Sequence, residues 1–188
     1  MVSAFSSERF TLTKQLLGQG GYGKVVLAHD SASPAKHVAA KVLELTGGLT
    51  AAQVQREIEA HTAVQRGERC EFIVELLGDT AATHLQAHLL FLEHCGGGDL
   101  LDRVLDCGGL DETRGATLFG QLATAVAHVH ARGVAHRDIK LENVMLTLAG
   151  TPASPVVATG PGRVWLAPRP RPPSVRFACA QATCASAT

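Results

Sequence analysis

Apolar and polar positions fall into short runs along the first half of the chain, and the period changes after a triple glycine. Residues 10–17 read as a strand leading into a glycine cluster. Residues 24–28, Lys-Val-Val-Leu-Ala, read as a second strand, and Ser31-Ala-Ser-Pro34 as a turn. Residues 38–43 make a third strand. Thr50 is placed to cap a helix over 51–65, where Ala51, Val54, Ile58 and His61 recur at helical spacing. Residues 72–77 and 87–92 are two further strand candidates. The expected order is therefore three strands, one helix, two strands.

After Gly96-Gly-Gly98 the pattern turns helical. A short helix is expected over 100–105. A longer one over 112–132 has Asp111 as its cap and Gly133 as its stop. Leu118, Leu122, Val126 and Val129 form its expected apolar stripe, over a length of about 30 Å. Beyond Leu146 no periodicity is sustained, and Arg169-Pro-Arg-Pro-Pro173 favours an extended, solvated chain.

Charge sharpens this division. The 188 residues carry 17 basic and 17 acidic side chains, so bulk charge gives no argument for nucleic acid or an acidic membrane. Every acidic residue lies at or before Glu142, and the last 46 residues have none. At the preceding frequency roughly five would be expected there. Seven of the eight prolines also fall in this stretch. Residues 147–188 thus read as a foreign, disordered tail: translated non-coding sequence, a mis-predicted end or an alternatively spliced one. Residues 1–9 are an extension without a signal-peptide core, and Val2 excludes a myristoylation site. The uncharged run 143–162 is broken by three prolines and makes a poor membrane span. Five scattered cysteines form no CxxC pair, which suits reduced thiols in an intracellular, cytoplasmic protein, with the nucleus also open.

Three stretches carry chemistry. Gly18-Gln19-Gly20-Gly21-Tyr22-Gly23-Lys24-Val25 fits GxGxxGxV, and several readings compete. A dinucleotide fold needs a helix straight after the glycines, whereas Val25-Val26-Leu27 argues for a strand. A phosphate loop of the GxxxxGK type needs a hydroxyl residue at position 25, which is Val25. A strand–turn–strand flap over phosphates fits both facts, and an ordinary glycine-rich hairpin remains the plain alternative. Next, Lys41 lies in a strand, and Glu57 on the following helix flanks Ile58 and shares a face with Val54 and His61. Last, the run His136-Arg137-Asp138-Ile139-Lys140-Leu141-Glu142-Asn143 places a carboxylate, an ammonium and an amide in one short loop. That spacing suits phosphoryl transfer: a base for a hydroxyl proton, a cation for the moving phosphoryl group and a ligand for Mg²⁺.

Taken in order, these motifs resemble protein kinases over residues 10–146. The branch is the serine/threonine one, because tyrosine kinases typically place other residues where Lys140 stands. Calcium/calmodulin- and AMP-regulated-type kinases are the nearest look-alikes. The resemblance implies an α+β fold: a five-stranded N-lobe with one helix (10–92), a hinge (93–99), and the first helices and catalytic loop of a C-lobe (100–146). It implies ATP and Mg²⁺ as cofactors and protein Ser/Thr hydroxyls as substrates. Leu17 to Val25 would cover the phosphates, Lys41 would contact them, and Glu57 would orient Lys41. Leu92 would be the gatekeeper, with the backbones of Glu93 and Cys95 bonding adenine. Asp99 would sit near the ribose or a basic substrate residue, although a helix cap after a glycine linker is its plain reading. Asp138 would be the base, Lys140 a phosphate contact and Asn143 a Mg²⁺ ligand, while His136 reads as a packed core residue.

The chain departs from the family pattern just beyond the loop. Kinases carry Asp-Phe-Gly about a dozen residues after the loop asparagine, and its Asp ligates metal. Here that region reads Ala153-Ser-Pro-Val-Val-Ala158, and no later acidic residue can substitute. The segment through the Ala-Pro-Glu motif is absent as well. Two consequences are expected: metal-bridged transfer is severely impaired, and the stripe on helix 112–132 lacks the neighbours that would cover it. The alternative function is then a catalytically inactive fragment that binds nucleotide or a partner. Pro170-Arg-Pro-Pro173 also matches an SH3-ligand pattern, for which a solvated tail is the plainer reading.

Overall fold

A computed structural model describes residues 8–20, 23–45, 49–147 and 156–157. The chain divides into two units: Met1–Ile58 with Glu75–His94, and Glu59–Val74 with Cys95–Thr188.

In the first unit, β1 (Phe10–Gly20), β2 (Gly23–Asp30), β3 (His37–Glu44), β4 (Leu76–Ala82) and β5 (Ala87–Glu93) form one sheet in the order β1-β2-β3-β5-β4. All four pairings are antiparallel. Alternation along the strands sends Val38, Ala40 and Val42 of β3 and Ala87, Leu89 and Phe91 of β5 into one core with Phe10, Leu12, Val26, Ala28 and Ala82. Phe10 and Phe91 stack there with ring centres 4.1 Å apart. The other core joins Leu43 and Leu90 to Val54 and Ile58 of helix α1 (Ala51–Gln65). That helix starts as expected at Thr50. The Thr50 hydroxyl accepts from the Gln53 N–H at 3.2 Å, and the Gln53 carboxamide oxygen accepts from the Thr50 N–H at 2.8 Å. This reciprocal capping box satisfies two donors that a helix start leaves without partners.

One expected strand is displaced. The apolar run at residues 72–77 predicts a strand there, but β4 runs over Leu76–Ala82. Ile73 and Val74 are buried outside the sheet, in the second unit. The Cys70 carbonyl takes the Ile73 N–H in a turn, and the buried His61 ring donates to the Val74 carbonyl at 2.8 Å. The hydrophobic run reports burial rather than pairing, and the edge strand takes only Leu76 and Leu77 from it before running on through Gly78, Asp79 and Thr80.

In the second unit, helix α2 (Leu100–Cys107) and helix α3 (Glu112–His130) follow the glycines. The Asp111 carboxylate caps α3 by accepting from the Arg114 N–H at 2.8 Å. At its end, Gly133 takes φ +69°, its N–H reaches the His130 carbonyl, and the Val134 N–H reaches that of Val129. This is the glycine stop that the sequence predicts. The stripe needs correction. Leu118 and Val129 are buried, but Gln121 and Ala125 complete the buried line, while Leu122 and Val126 are only half-buried. The helix is turned from the expected face, and Leu118 and Val129 have cover after all. Its far end is tied to the last turn of α1 and to the segment after it. His128 donates to the Val64 carbonyl at 3.1 Å, and Arg132 donates to the Glu68 carbonyl at 2.9 Å.

Beyond Leu146, strand β7 (Val156–Val157) pairs antiparallel with β6 (Met145–Leu146), with Val156 opposite Leu146. Arg169–Pro173, with its SH3-type match, and the other residues of the expected tail from 148 onward lie outside the described residues.

Candidate active site

The glycine motif sits at the tip of the β1–β2 hairpin. Gly18 lies opposite Val25, Gln19 opposite Lys24 and Gly20 opposite Gly23. Register shifts interrupt β1 between Leu12 and Leu16 and again between Leu16 and Gly18. Gly21 and Tyr22 lie outside the described residues. A strand follows the glycines where a dinucleotide or GxxxxGK loop would place a helix. Gly23 is irreplaceable for a steric reason: at φ +145° a Cβ would overlap the Val42 carbonyl oxygen on β3. Lys24 reaches Glu44 at 3.4 Å, and Leu17 is half-buried.

Lys41 and Glu57 are brought together. Lys41 lies opposite Val25 on β2 and Leu90 on β5, near the centre of the sheet. Its ammonium meets the Glu57 carboxylate of α1 at 2.5 Å, with both side chains about nine-tenths buried (8% and 11% exposed). Glu59 is exposed. An ammonium and a carboxylate withdrawn from water this far need each other, since either alone would be an uncompensated buried charge.

Leu92 is buried between Ala39 on β3 and Leu76 on β4. The Glu93 N–H donates to the Glu75 carbonyl at 2.9 Å. In the second unit, Cys95 is buried, and the Asp99 carboxylate accepts from the Asp102 N–H at 2.6 Å. Asp99 is thus the N-cap of α2, and its carboxylate is committed to the helix start. Residues on either side of Asp99 zip onto the strand after the 136–143 loop. Gly97 N–H bonds Leu146 O, Leu146 N–H bonds Gly98 O, and Leu100 N–H bonds Val144 O.

The 136–143 loop gathers its polar groups around Asp138. Asn143, 1% exposed, donates its amide to both the Asp138 carboxylate (2.7 Å) and the Asp138 backbone carbonyl. The Lys140 ammonium stands 3.1 Å from the same carboxylate oxygen. Burial alone would push this carboxyl up. The Asn143 hydrogen bond, the Lys140 contact and the His136 ring outweigh it and hold Asp138 below the usual carboxylate range. Asp138 is therefore an anion at neutral pH, with its side chain still 37% exposed. His136 is buried, as the sequence suggests, and its Nδ1 accepts the Asp138 N–H at 3.3 Å. Arg137 between them takes φ +63°, a left-handed backbone that is unusual for a residue with a side chain.

Two of these relations are not visible in the motif. Asn143 serves as a donor that steers Asp138, and the His136 ring braces the Asp138 amide. The only hint is that Asp and Asn in one tight loop tend to bond their own backbone. A Mg²⁺ ion fits this donor set poorly. Asn143 brings a neutral amide, the Asp138 carboxylate is already shared between an ammonium and an amide, and no acidic residue follows Glu142. Among the described residues no three His, Cys, Asp or Glu side chains are placed to hold a metal.

Comparison with known proteins agrees with this geometry. A family model described as the protein kinase domain matches residues 11–152. The chain is 43% identical over 146 residues to the CBL-interacting protein kinase 13 of Oryza sativa subsp. japonica, covering 76% of this chain and 27% of that one. It is 34% identical over 137 residues to the CBL-interacting serine/threonine-protein kinase 17 of Arabidopsis thaliana, covering 71% and 30%. Against the serine/threonine-protein kinase SRK2E of Arabidopsis thaliana it is 34% identical over 147 residues, covering 78% and 38%. The chain thus spans well under half the length of these relatives. With its five-stranded antiparallel sheet, its helices and this match, the chain belongs to the protein kinase family, in the company of serine/threonine kinases.

Proposed function

We propose that this chain is an ATP-binding segment of a serine/threonine kinase, and that its loop is built for transfer of the γ-phosphoryl group to a protein hydroxyl. The observation that carries the reading is the Asp138 arrangement: an anionic carboxylate, partly open to solvent and oriented by Asn143 and Lys140. In that role Asp138 accepts the proton of a Ser or Thr hydroxyl as the hydroxyl oxygen attacks the γ-phosphorus, the bond from that phosphorus to the β–γ bridging oxygen breaks and ADP leaves, while Lys140 offsets charge on the phosphoryl oxygens. The hairpin of Gly18, Gly20 and Gly23 covers the phosphates, with Lys41 held ready by Glu57. The backbones of Glu93 and Cys95 take the adenine. The Asp99 carboxylate, already capping α2, contributes to helix placement before any ribose contact. Mg²⁺ would neutralise phosphate charge when bound, but the donors here fit it poorly, so no step is assigned to it.

A second reading rests on one specific observation, the lack of any acidic residue after Glu142. In it the chain binds nucleotide or a protein partner and transfers nothing. An intracellular, cytoplasmic setting is consistent with Cys70, Cys95 and Cys107 as reduced thiols. It is also consistent with the described helices, none of which is long and apolar enough to cross a membrane.

Two measurements separate the readings: phosphorylation of a generic Ser/Thr substrate with Mg²⁺ and ATP, and thermal stabilisation by ATP alone. Transfer that disappears in Asp138→Asn supports the first. Stabilisation by ATP without transfer supports the second. If ATP leaves the melting temperature unchanged, nucleotide binding is excluded in both.

A further inference from the structure

Helix α3 presents an outward face that carries no charge over most of its length. From Gly115 to Ala127 the sequence holds no Asp, Glu, Lys or Arg. Ala116, Phe119, Gly120, Ala123 and Ala127 are all exposed, and their helical spacing puts them on one side of the helix. Phe119 is 70% exposed, and a Cβ added at Gly120 meets nothing within 4 Å. A helix face turned to water ordinarily carries charged and polar side chains, so a contiguous uncharged face around an open aromatic ring marks a contact surface. Glu112 and His130, both exposed, stand on the same side at its two ends, because eighteen residues make five turns of 3.6.

We propose that this face pairs with the same face of a second copy of the chain, the two α3 helices running antiparallel about a two-fold axis at the level of Gln121. One register then satisfies both ends and the middle. Glu112 of one copy meets His130 of the other, so a carboxylate faces an imidazole that can donate to it. In the same register Phe119 meets Ala123 of the other copy, large against small, and the two-fold axis repeats each match. Gly120 and Ala123 let the two backbones approach closely. A parallel pair would instead set Glu112 against Glu112 and Phe119 against Phe119. The chain's own residues 158–188 suit the face less well, since their four arginines would find no acid between Gly115 and Ala127. A single helix pair lies at the small end of interface sizes, so the dimer should form reversibly with concentration. This inference does not rest on the nucleotide reading.

The test is sedimentation velocity of the reduced full-length chain across a concentration series. A monomer–dimer equilibrium is expected. Phe119→Glu and Ala123→Lys, both at exposed positions, should each weaken it by about tenfold or more while leaving helix content by circular dichroism unchanged. Mixing the two variants should restore association, because the new carboxylate then faces the new ammonium and the native Phe119–Ala123 contact survives once. Leu105→Glu, at an exposed apolar residue on α2, should leave the equilibrium unmoved. A photoreactive group placed at Ala123 should capture α3 of another copy. A full-length chain that stays monomeric at every concentration overturns the pairing. So does a dimer that survives both variants, a mixture that fails to recover, or capture of residues 158–188 in place of α3.

Discussion

Asp138 shows how a single side chain is set by its neighbours. Its pKa lies below the ordinary value in the folded chain, so its favourable contribution to stability is complete above the unfolded value of about 3.9. It is lost as pH falls through the folded value. Lys140→Ala removes a cation 3.1 Å away and should move the Asp138 midpoint upward, as read from the carboxyl-carbon NMR titration. An unmoved midpoint would show that Lys140 does not matter there. The Lys41–Glu57 pair makes a second prediction. Glu57→Gln strands a buried ammonium and should cost about 3 kcal/mol in urea unfolding. Lys41→Met combined with Glu57→Leu, an apolar pair of similar volume, should recover most of that loss. A double variant no more stable than the single one would refute the account. This pair is legible in the sequence because Glu57 shares a helix face with Val54 and His61. The bonds from Asn143 and His136 to Asp138 are not, since they depend on how a loop folds back on itself.

Among the elements, glycine separates positions by sign. Gly133 lies at φ +69° in the stop of α3, so Gly133→Ala should destabilise by about 1 kcal/mol. Gly120 lies inside α3 and a Cβ there meets nothing within 4 Å, so Gly120→Ala should stabilise by up to about 1 kcal/mol. Thermal unfolding of both variants checks the pair, and shifts of the same sign would contradict it. Helix ends are easy to read because Thr50, Asp111 and Gly133 act through local hydrogen bonds. Faces and strand ends are harder. Leu122 and Val126 look like core yet are half-buried, while Gln121 is buried with no hydrogen-bond partner for its amide among the described residues. Ile73 and Val74 are buried without entering the sheet. In both cases local periodicity carries no record of which positions are buried.

For the whole molecule, a net charge of zero conceals two opposed portions. Thirteen basic and seventeen acidic side chains precede Asn143, while four arginines and no acid follow it. The full chain should be least soluble near its isoelectric point of about 7.1. A chain ending at Thr147 should focus well below that value, and its solubility minimum, followed by light scattering against pH, should shift to acid. An unchanged minimum would mean that the arginines do not govern association. The short zipper between Gly97–Leu100 and Val144–Leu146 has a consequence at this scale too. It closes a loop of roughly 45 residues that contains α2, α3 and the Asp138 loop, so neither edge opens without the other. In hydrogen–deuterium exchange the amides of Gly97, Leu100 and Leu146, far apart in sequence, should exchange together at one common opening free energy.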